Sequence, residues 1–282
     1  MKKIETLREL QLISISIYKD LIKFCNQNGL RVYLHGGTLI GAIRHQGFIP
    51  WDDDIDVCMS RPDYRRMMKI SGGIISERCT VIDPELDKDY NGYIPVVTYN
   101  NSKIQSGQYR TNENLKISIS IFVYDGITNN TFLQKLYYLH MFILRAEHAL
   151  CRADFQHVNT SIAKIVGPIM QPFYDESDVK KYKNRILRFQ QKYVYEACEY
   201  VSTNADYRSS KEVCKKSDFE KAVPVSFEGI ESLAYSHYDA HLRAYYGDYM
   251  ELPPEQERNA KHSFDAWVEE GFDYGRDGAG LC

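Results

Sequence analysis

From Glu5 to about Asn26 the positions that can be buried recur every three or four residues. Leu7, Leu10, Ser14, Ile17, Leu21 and Phe24 fall on one stripe, and Asn28-Gly29 follows as a stop. That spacing predicts a helix that buries one face. Arg31–His35 is a short run carrying Val, Tyr and Leu, which predicts a buried strand. Gly36 and Gly37 then turn the chain, and Thr38 starts a short helix. From Asp54 to Met59 polar and apolar residues alternate with period two, the signature of a second strand. Ser60-Arg-Pro-Asp63 has the form of a capped helix start with proline in the first turn; that helix runs to about Ile70 and stops at Ser71-Gly72-Gly73.

Further along, Cys79–Ile82 and Tyr93–Tyr99 predict short strands separated by the polar loop Asp83–Asn91. Ile117–Tyr124 alternates and then becomes continuously apolar, as a strand entering a core does. The texture next turns helical. Leu133 to about Cys151 is long and amphipathic; Ser161–Ile169 is interrupted by Gly167-Pro168 and Pro172; Ser177 to about Glu199 is charged enough to lie on the surface. After Lys216, Val223–Gly229 predicts a strand ending in a glycine turn, and His237–Tyr246 a short helix. The expected organisation is a core over 1–130, a helical insertion over 131–215, a return to the core over 216–270, and a flexible tail over 271–282. The Tyr and Phe excess of the insertion has two readings: ordinary helix packing, or a surface for a glycan or lipid-linked acceptor.

At 282 residues the chain can bury a large core. Its net charge of -3 provides no basic footprint, which argues against nucleic acid as a partner. The seven cysteines are scattered without a C-x-x-C pair, fitting a reducing, cytoplasmic setting rather than a disulfide scaffold. No run approaches about 18 apolar residues, so no transmembrane segment is expected. Contact with the inner face of a membrane stays compatible with this composition.

The chemistry concentrates between Leu34 and Val57, LHGGTLIGAIRHQGFIPWDDDIDV. Four acids fall within five residues: Asp52, Asp53, Asp54 and Asp56. On a strand, Asp54 and Asp56 project to one face. Carboxylates that close repel unless a cation lies between them, and hard ions such as Mg²⁺ or Mn²⁺ take such oxygens together with substrate phosphates. A solvated acidic turn is the plainer alternative. The glycines before them let a backbone approach a ligand, and amides at the start of the following helix can face an anion; a simple tight turn needs the same residues.

Gly36-Gly37-Thr38, Gly41-Ala-Ile-Arg44-His45 and Gly47-Phe-Ile-Pro-Trp-Asp-Asp-Asp-Ile-Asp56 resemble the signature of the LicD family, of the nucleotidyltransferase-fold superfamily. A second block, Phe227-Glu-Gly229 and Tyr246-Gly-Asp-Tyr249 through Pro253-Pro254 to Arg258 and His262, resembles the family near its other end. The resemblance implies an α/β (α+β) fold, a mixed sheet flanked by helices. It also implies transfer of phosphocholine, or another alcohol phosphate, from a CDP-alcohol to a surface glycan such as lipopolysaccharide, teichoic acid or capsule. Relatives of the fukutin type use CDP-ribitol. Asp54 and Asp56 would hold Mg²⁺ or Mn²⁺, and Gly36, Gly37 and Thr38 would cradle donor phosphates.

Several positions keep two readings. Arg44 suits a diphosphate or a salt bridge; Trp51 suits stacking on cytosine or plugging a core; Arg258 and His262 are one helical turn apart and suit the cleft or solvent. The histidines His35 and His45 read best as structural. The family's third acid falls where this chain has Ser120, in Ser120-Ile-Phe-Val-Tyr-Asp125. A serine carries no charge and is a poor base. The chain is then an enzyme with a relocated base (Asp125, Asp53 or Glu228), a binding homologue without turnover, or a substituted form of an acid-bearing protein. Asp125, just before Gly126, also reads as a turn residue. A nucleotidyltransferase moving NMP from an NTP to a small hydroxylated acceptor would use the same acids and glycines.

Overall fold

The computed structural model describes residues 1–107, 109, 115–155, 161–203, 209–258 and 264–275. After a two-residue strand β1 (Lys2–Lys3), helix α1 (Leu7–Gln27) begins at a capping box in which Thr6 and Glu9 bond each other's backbone. The amphipathic stripe does what its spacing predicts: Leu10, Ile13, Ile17 and Leu21 are buried. Gly29, at φ +60°, follows the helix end.

The next elements set up the sheet. They are β2 (Tyr33–Leu34), α2 (Gly36–His45), β3 (Asp56–Ser60), α3 (Arg61–Ser71), β4 (Cys79–Ile82), β5 (Val96–Tyr99), β6 (Ser102–Ser106) and β7 (Ser118–Ile127). Strand order is β2-β3-β7-β5-β4, with β3 and β7 parallel and the other neighbours antiparallel, a mixed sheet. Ser60 caps α3 by accepting the Asp63 amide, and Gly72 ends it in the left-handed region.

The insertion consists of α4 (Thr131–Arg152), α5 (Ser161–Met170) and α6 (Val179–Gln190). It differs from the expected pattern in three places. α5 continues through Gly167-Pro168, because a proline in the last turn forfeits one hydrogen bond without blocking what precedes it. α6 is shorter than expected and is not a surface rod: Val179, Tyr182, Ile186 and Leu187 form a buried stripe within its charged sequence, and the helix packs on α4. Two short strands, β8 (Tyr200–Ser202) and β9 (Cys214–Lys215), follow; β8 pairs with the end of β7, so the chain rejoins the sheet well before residue 215.

The return to the core comprises α7 (Lys216–Phe219), the hairpin β10 (Ala222–Phe227) and β11 (Ile230–Tyr235), α8 (Tyr238–Tyr246), and β12 (Phe264–Val268). β12 sits between β1 and β6 in a separate three-stranded sheet. Of the tail expected over 271–282, residues 276–282 lie outside the described residues. Phe272 is buried edge-on against Tyr99, and Tyr274 packs on the same core. Two aromatic side chains thus anchor 271–275 despite its glycines.

One brace ties these parts to the site. Glu228 lies at the hairpin turn with φ +51°. Its carboxylate accepts from both terminal nitrogens of Arg8 (3.2 and 2.7 Å) and from the Phe48 amide (3.1 Å), while its own amide donates to Gln46 O (3.0 Å). Burial alone would raise its pKa, but Arg8 and the Phe48 amide outweigh burial and hold the carboxyl below its ordinary value of 4.5. Its stabilising contribution is therefore complete above about pH 4.5 and fades as pH falls through the lower folded pKa. Glu228→Gln should cost about 1 kcal/mol at pH 7, discounted because Arg8 is half exposed, and progressively less as the pH falls below about 4.5; denaturant melts across that range measure this. Gly41 provides a second check. A Cβ there would stand 2.4 Å from Gly47 O and 3.2 Å from Ile49 N, both backbone atoms. Gly41→Ala should lower stability by about 1–3 kcal/mol, and a loss under about 0.5 kcal/mol would contradict this packing.

Candidate active site

The acidic run is built against the glycine turn. His35 follows strand β2 and its amide donates to Asp56 O (2.9 Å), while the Asp56 amide donates to Thr38 Oγ1 (2.9 Å). These two bonds run in opposite directions and lock the start of α2 to the start of β3. Thr38, read from sequence as a phosphate contact, is buried, and its hydroxyl oxygen is engaged by Asp56. Gly36 has φ +52°, and a Cβ there would lie 3.7 Å from Asp56 Oδ2 and 3.3 Å from Tyr246 Oη. At Gly37 a Cβ would come within 2.8 Å of Asp52 Oδ2. Gly37 is thus needed to make room for the Asp52 carboxylate, and Gly36 for its left-handed backbone.

Asp52 and Asp53 are buried, while Asp54 and Asp56 are half-buried. One oxygen each from Asp52, Asp53 and Asp54 lies within 4.8 Å of the others. This tight trio is not what the period-two argument on Asp54 and Asp56 identifies; it arises because residues 52–55 precede the strand and curl rather than alternate. Gln11 of α1 donates to Asp52 O (2.8 Å) and fixes the curl from beneath.

Ser120 stands where a third acid was sought. Lying on β7, it is the register partner of Asp56 on parallel β3 and of Val96 on antiparallel β5, and its amide donates to Ile55 O (3.0 Å). Asp56 and Ser120 therefore point to one face of the sheet. Asp53, Asp54, Ser118 and Ser120 line a cleft of about 370 Å³, whose other walls include Lys116, Tyr109 and Arg152. The Arg152 guanidinium lies 3.8 Å from the centre of the Tyr109 ring. Sequence reasoning missed Lys116 and Arg152, which no motif marks; only the fold brings the last turn of α4 to the acids.

Other residues singled out from sequence stand elsewhere. Asp125 points to the opposite face of β7 from Ser120, by its odd offset along the strand, and is buried against Arg61 in a two-pronged ion pair (2.8 and 2.7 Å). Burial would lower the Arg61 pKa, yet Asp125 raises it above its ordinary value. Asp125 is thus a core anchor and not a base. Glu228 is likewise held in the brace described above. Arg44 donates to the carbonyls of Tyr249 and Glu251 (2.5 and 2.9 Å) and so fastens the 247–251 turn to α2. Arg258 donates to Pro253 O (2.8 Å) and faces Trp51 at 5.8 Å from its ring centre. None of Arg44, Trp51 and Arg258 lines the cleft. His262 lies outside the described residues.

Residues 29–162 match the LicD/FKTN/FKRP nucleotidyltransferase domain. Over 274 residues the chain is 31% identical to the lipopolysaccharide cholinephosphotransferase LicD of Haemophilus influenzae, covering 95% of this chain and 100% of that protein. The chain belongs to the LicD family. A shorter likeness joins it to the ribitol 5-phosphate transferase FKRP of mouse and human, 33% identical over 66 residues, or 22% of this chain and 13% of those proteins. The matched domain contains the glycine turn, the four acids, β7 and α4. The LicD relative extends through the 227–258 block as well, where the structure finds scaffold contacts.

Proposed function

We propose that this chain is a phosphotransferase that moves phosphocholine from CDP-choline to a sugar hydroxyl of a surface glycan or its lipid-linked precursor. The observation that carries this reading is the meeting of the Asp52–Asp54 trio with a cleft that also presents Lys116 and Arg152. Acids alone would repel a diphosphate; acids with a hard cation, faced by two basic side chains, suit one. The donor set is all oxygen and fits Mg²⁺ or Mn²⁺; Asp54 and Asp56, the pair expected from the sequence, would hold it, with Asp52 beside Asp54 in the trio. When bound, such an ion neutralises charge on the donor diphosphate.

The chain's own groups account for the rest. Lys116 and Arg152 draw the phosphates into the cleft, and Arg152 is oriented for this by its stacking on Tyr109. Tyr90 and Tyr93 also line the cleft, and aromatic faces suit a quaternary ammonium, which favours choline over ribitol or glycerol. The acceptor oxygen attacks phosphorus in line, the bond to the CMP oxygen breaks, and that oxygen leaves with the electron pair. Of the three acids weighed as a relocated base, Asp125 and Glu228 are held elsewhere, and Asp53 lines the cleft beside Ser120. Asp53 is assigned the acceptor proton.

On α4 and α5, Phe132, Leu136, Leu139, Phe142, Ile165 and Ile169 are exposed, while Tyr137, Met141 and Leu144 pack inward. Among the described residues no helix is long and apolar enough to cross a membrane. An apolar face on the helix that reaches the cleft supports a lipid-linked acceptor.

Ser120 motivates a second reading, a homologue that binds the donor without turning it over. CMP release from CDP-choline separates the two. The enzyme reading expects wild-type turnover, a fall of about 10³-fold in Asp54→Asn, and a fall of about 10²-fold in kcat for Asp53→Asn with KM little changed. Binding without CMP release, with turnover appearing only in Ser120→Asp, would replace it by the second reading.

A further inference from the structure

Behind the glycine turn, three buried side chains from distant parts of the chain meet. His35 follows β2, Glu212 closes the turn at 209–212, and His241 sits on α8; each is only 3–4% exposed. One ligand-capable atom of each lies within 4.8 Å of the other two. His35 Nε2 and Glu212 Oε1 are 3.7 Å apart. That is too long for a hydrogen bond. It is close to the edge of a zinc tetrahedron, about 3.3–3.5 Å for bonds of roughly 2.0–2.1 Å.

The surroundings point the same way. His35 Nδ1 is buried without a hydrogen-bond partner, and the buried hydroxyls of Tyr124 and Tyr235 have none beyond each other. The Tyr124 ring abuts His35 (6.0 Å between centres), and the Tyr235 ring abuts His241 (5.6 Å). Buried polar atoms without partners are uncommon, and several in one spot ask for an ion or bound water.

We propose that His35, Glu212 and His241 form a zinc site that staples the glycine turn to α8 and to the 209–212 turn. Two imidazoles and one carboxylate are the protein ligands of a borderline ion, with a fourth position left for water; Mg²⁺ does not favour such a set. The staple bears on the acidic site through geometry. His35 immediately precedes Gly36, and α8 also carries Tyr246, whose hydroxyl is the side-chain atom closest to the missing Gly36 Cβ. The proposal does not depend on the phosphotransfer reading and is tested without activity.

The full chain, stripped with a chelator, is titrated with Co²⁺ in the presence of excess Mg²⁺. The expected result is one equivalent bound with the visible d–d absorption of a four-coordinate site and hyperfine-shifted histidine ring protons. Zn²⁺ should displace it and raise the Tm by about 5 °C at 100 times its Kd. His241→Gln, checked for folding by circular dichroism, should lose the spectrum, and Asp54→Asn should keep it. If His241→Gln does not fold, the wild-type histidine signals decide alone. Absence of stoichiometric Co²⁺ binding, absence of shifted histidine signals, or a spectrum that disappears in Asp54→Asn would each overturn the proposal.

Discussion

Four carboxylates crowded into five residues are the constraint around which this structure is arranged. Like charges at such spacing push apart, so each must be held by something other than its neighbours. The hold comes from the main chain: the His35 amide and Thr38 hydroxyl clamp Asp56, and Gln11 clamps Asp52. Gly37 clears the volume that the Asp52 carboxylate occupies, and Gly36 supplies the left-handed turn before it. Strand β3 is itself fixed between β2 and parallel β7, which sets Asp56 beside Ser120. The mixed sheet is the frame that keeps repelling groups in place.

The basic side chains divide between that frame and the cleft. Arg8, Arg44 and Arg61 are each bound to a carboxylate or to carbonyls, and each joins segments remote in sequence. Their fixed forks suit such joints. The charges that face the cleft, Lys116 and Arg152, come from the approach to β7 and the last turn of α4. This makes the helical insertion part of the site: α4 packs inward on α6, carries an exposed apolar face, and ends at the cleft.

Much of this was legible in the sequence, and the limits have physical causes. α1, β4 and the capped start of α3 follow from periodicity and capping chemistry, which are local. The stretch that builds the candidate site was legible too, because glycines and acids close in sequence constrain each other locally, but which acids meet was not. Strands β6, β11 and β12 escaped, since their partners lie far away or their alternation is weak. Asp125, Glu228 and Arg44 looked chemical because the residue types are. Their roles depend on Arg61, Arg8 and the 249–251 carbonyls, which sequence spacing does not bring near. Conversely, Asp53 gains its standing from the cleft, and the meeting of His35 with Glu212 and His241 is a product of tertiary structure alone.

The central claim is that the acids and the basic wall of the cleft together take a CDP-alcohol diphosphate, with a divalent ion between. Its most direct test is the stability of the wild-type chain with CDP-choline, CDP-ribitol, CTP or ATP, each with and without Mg²⁺. A ligand that binds only the folded state adds about 2.7 kcal/mol at 100 times its Kd. The account predicts that gain with CDP-choline only when Mg²⁺ is present. Equal stabilisation without Mg²⁺, or stabilisation by CTP or ATP alone, would contradict it.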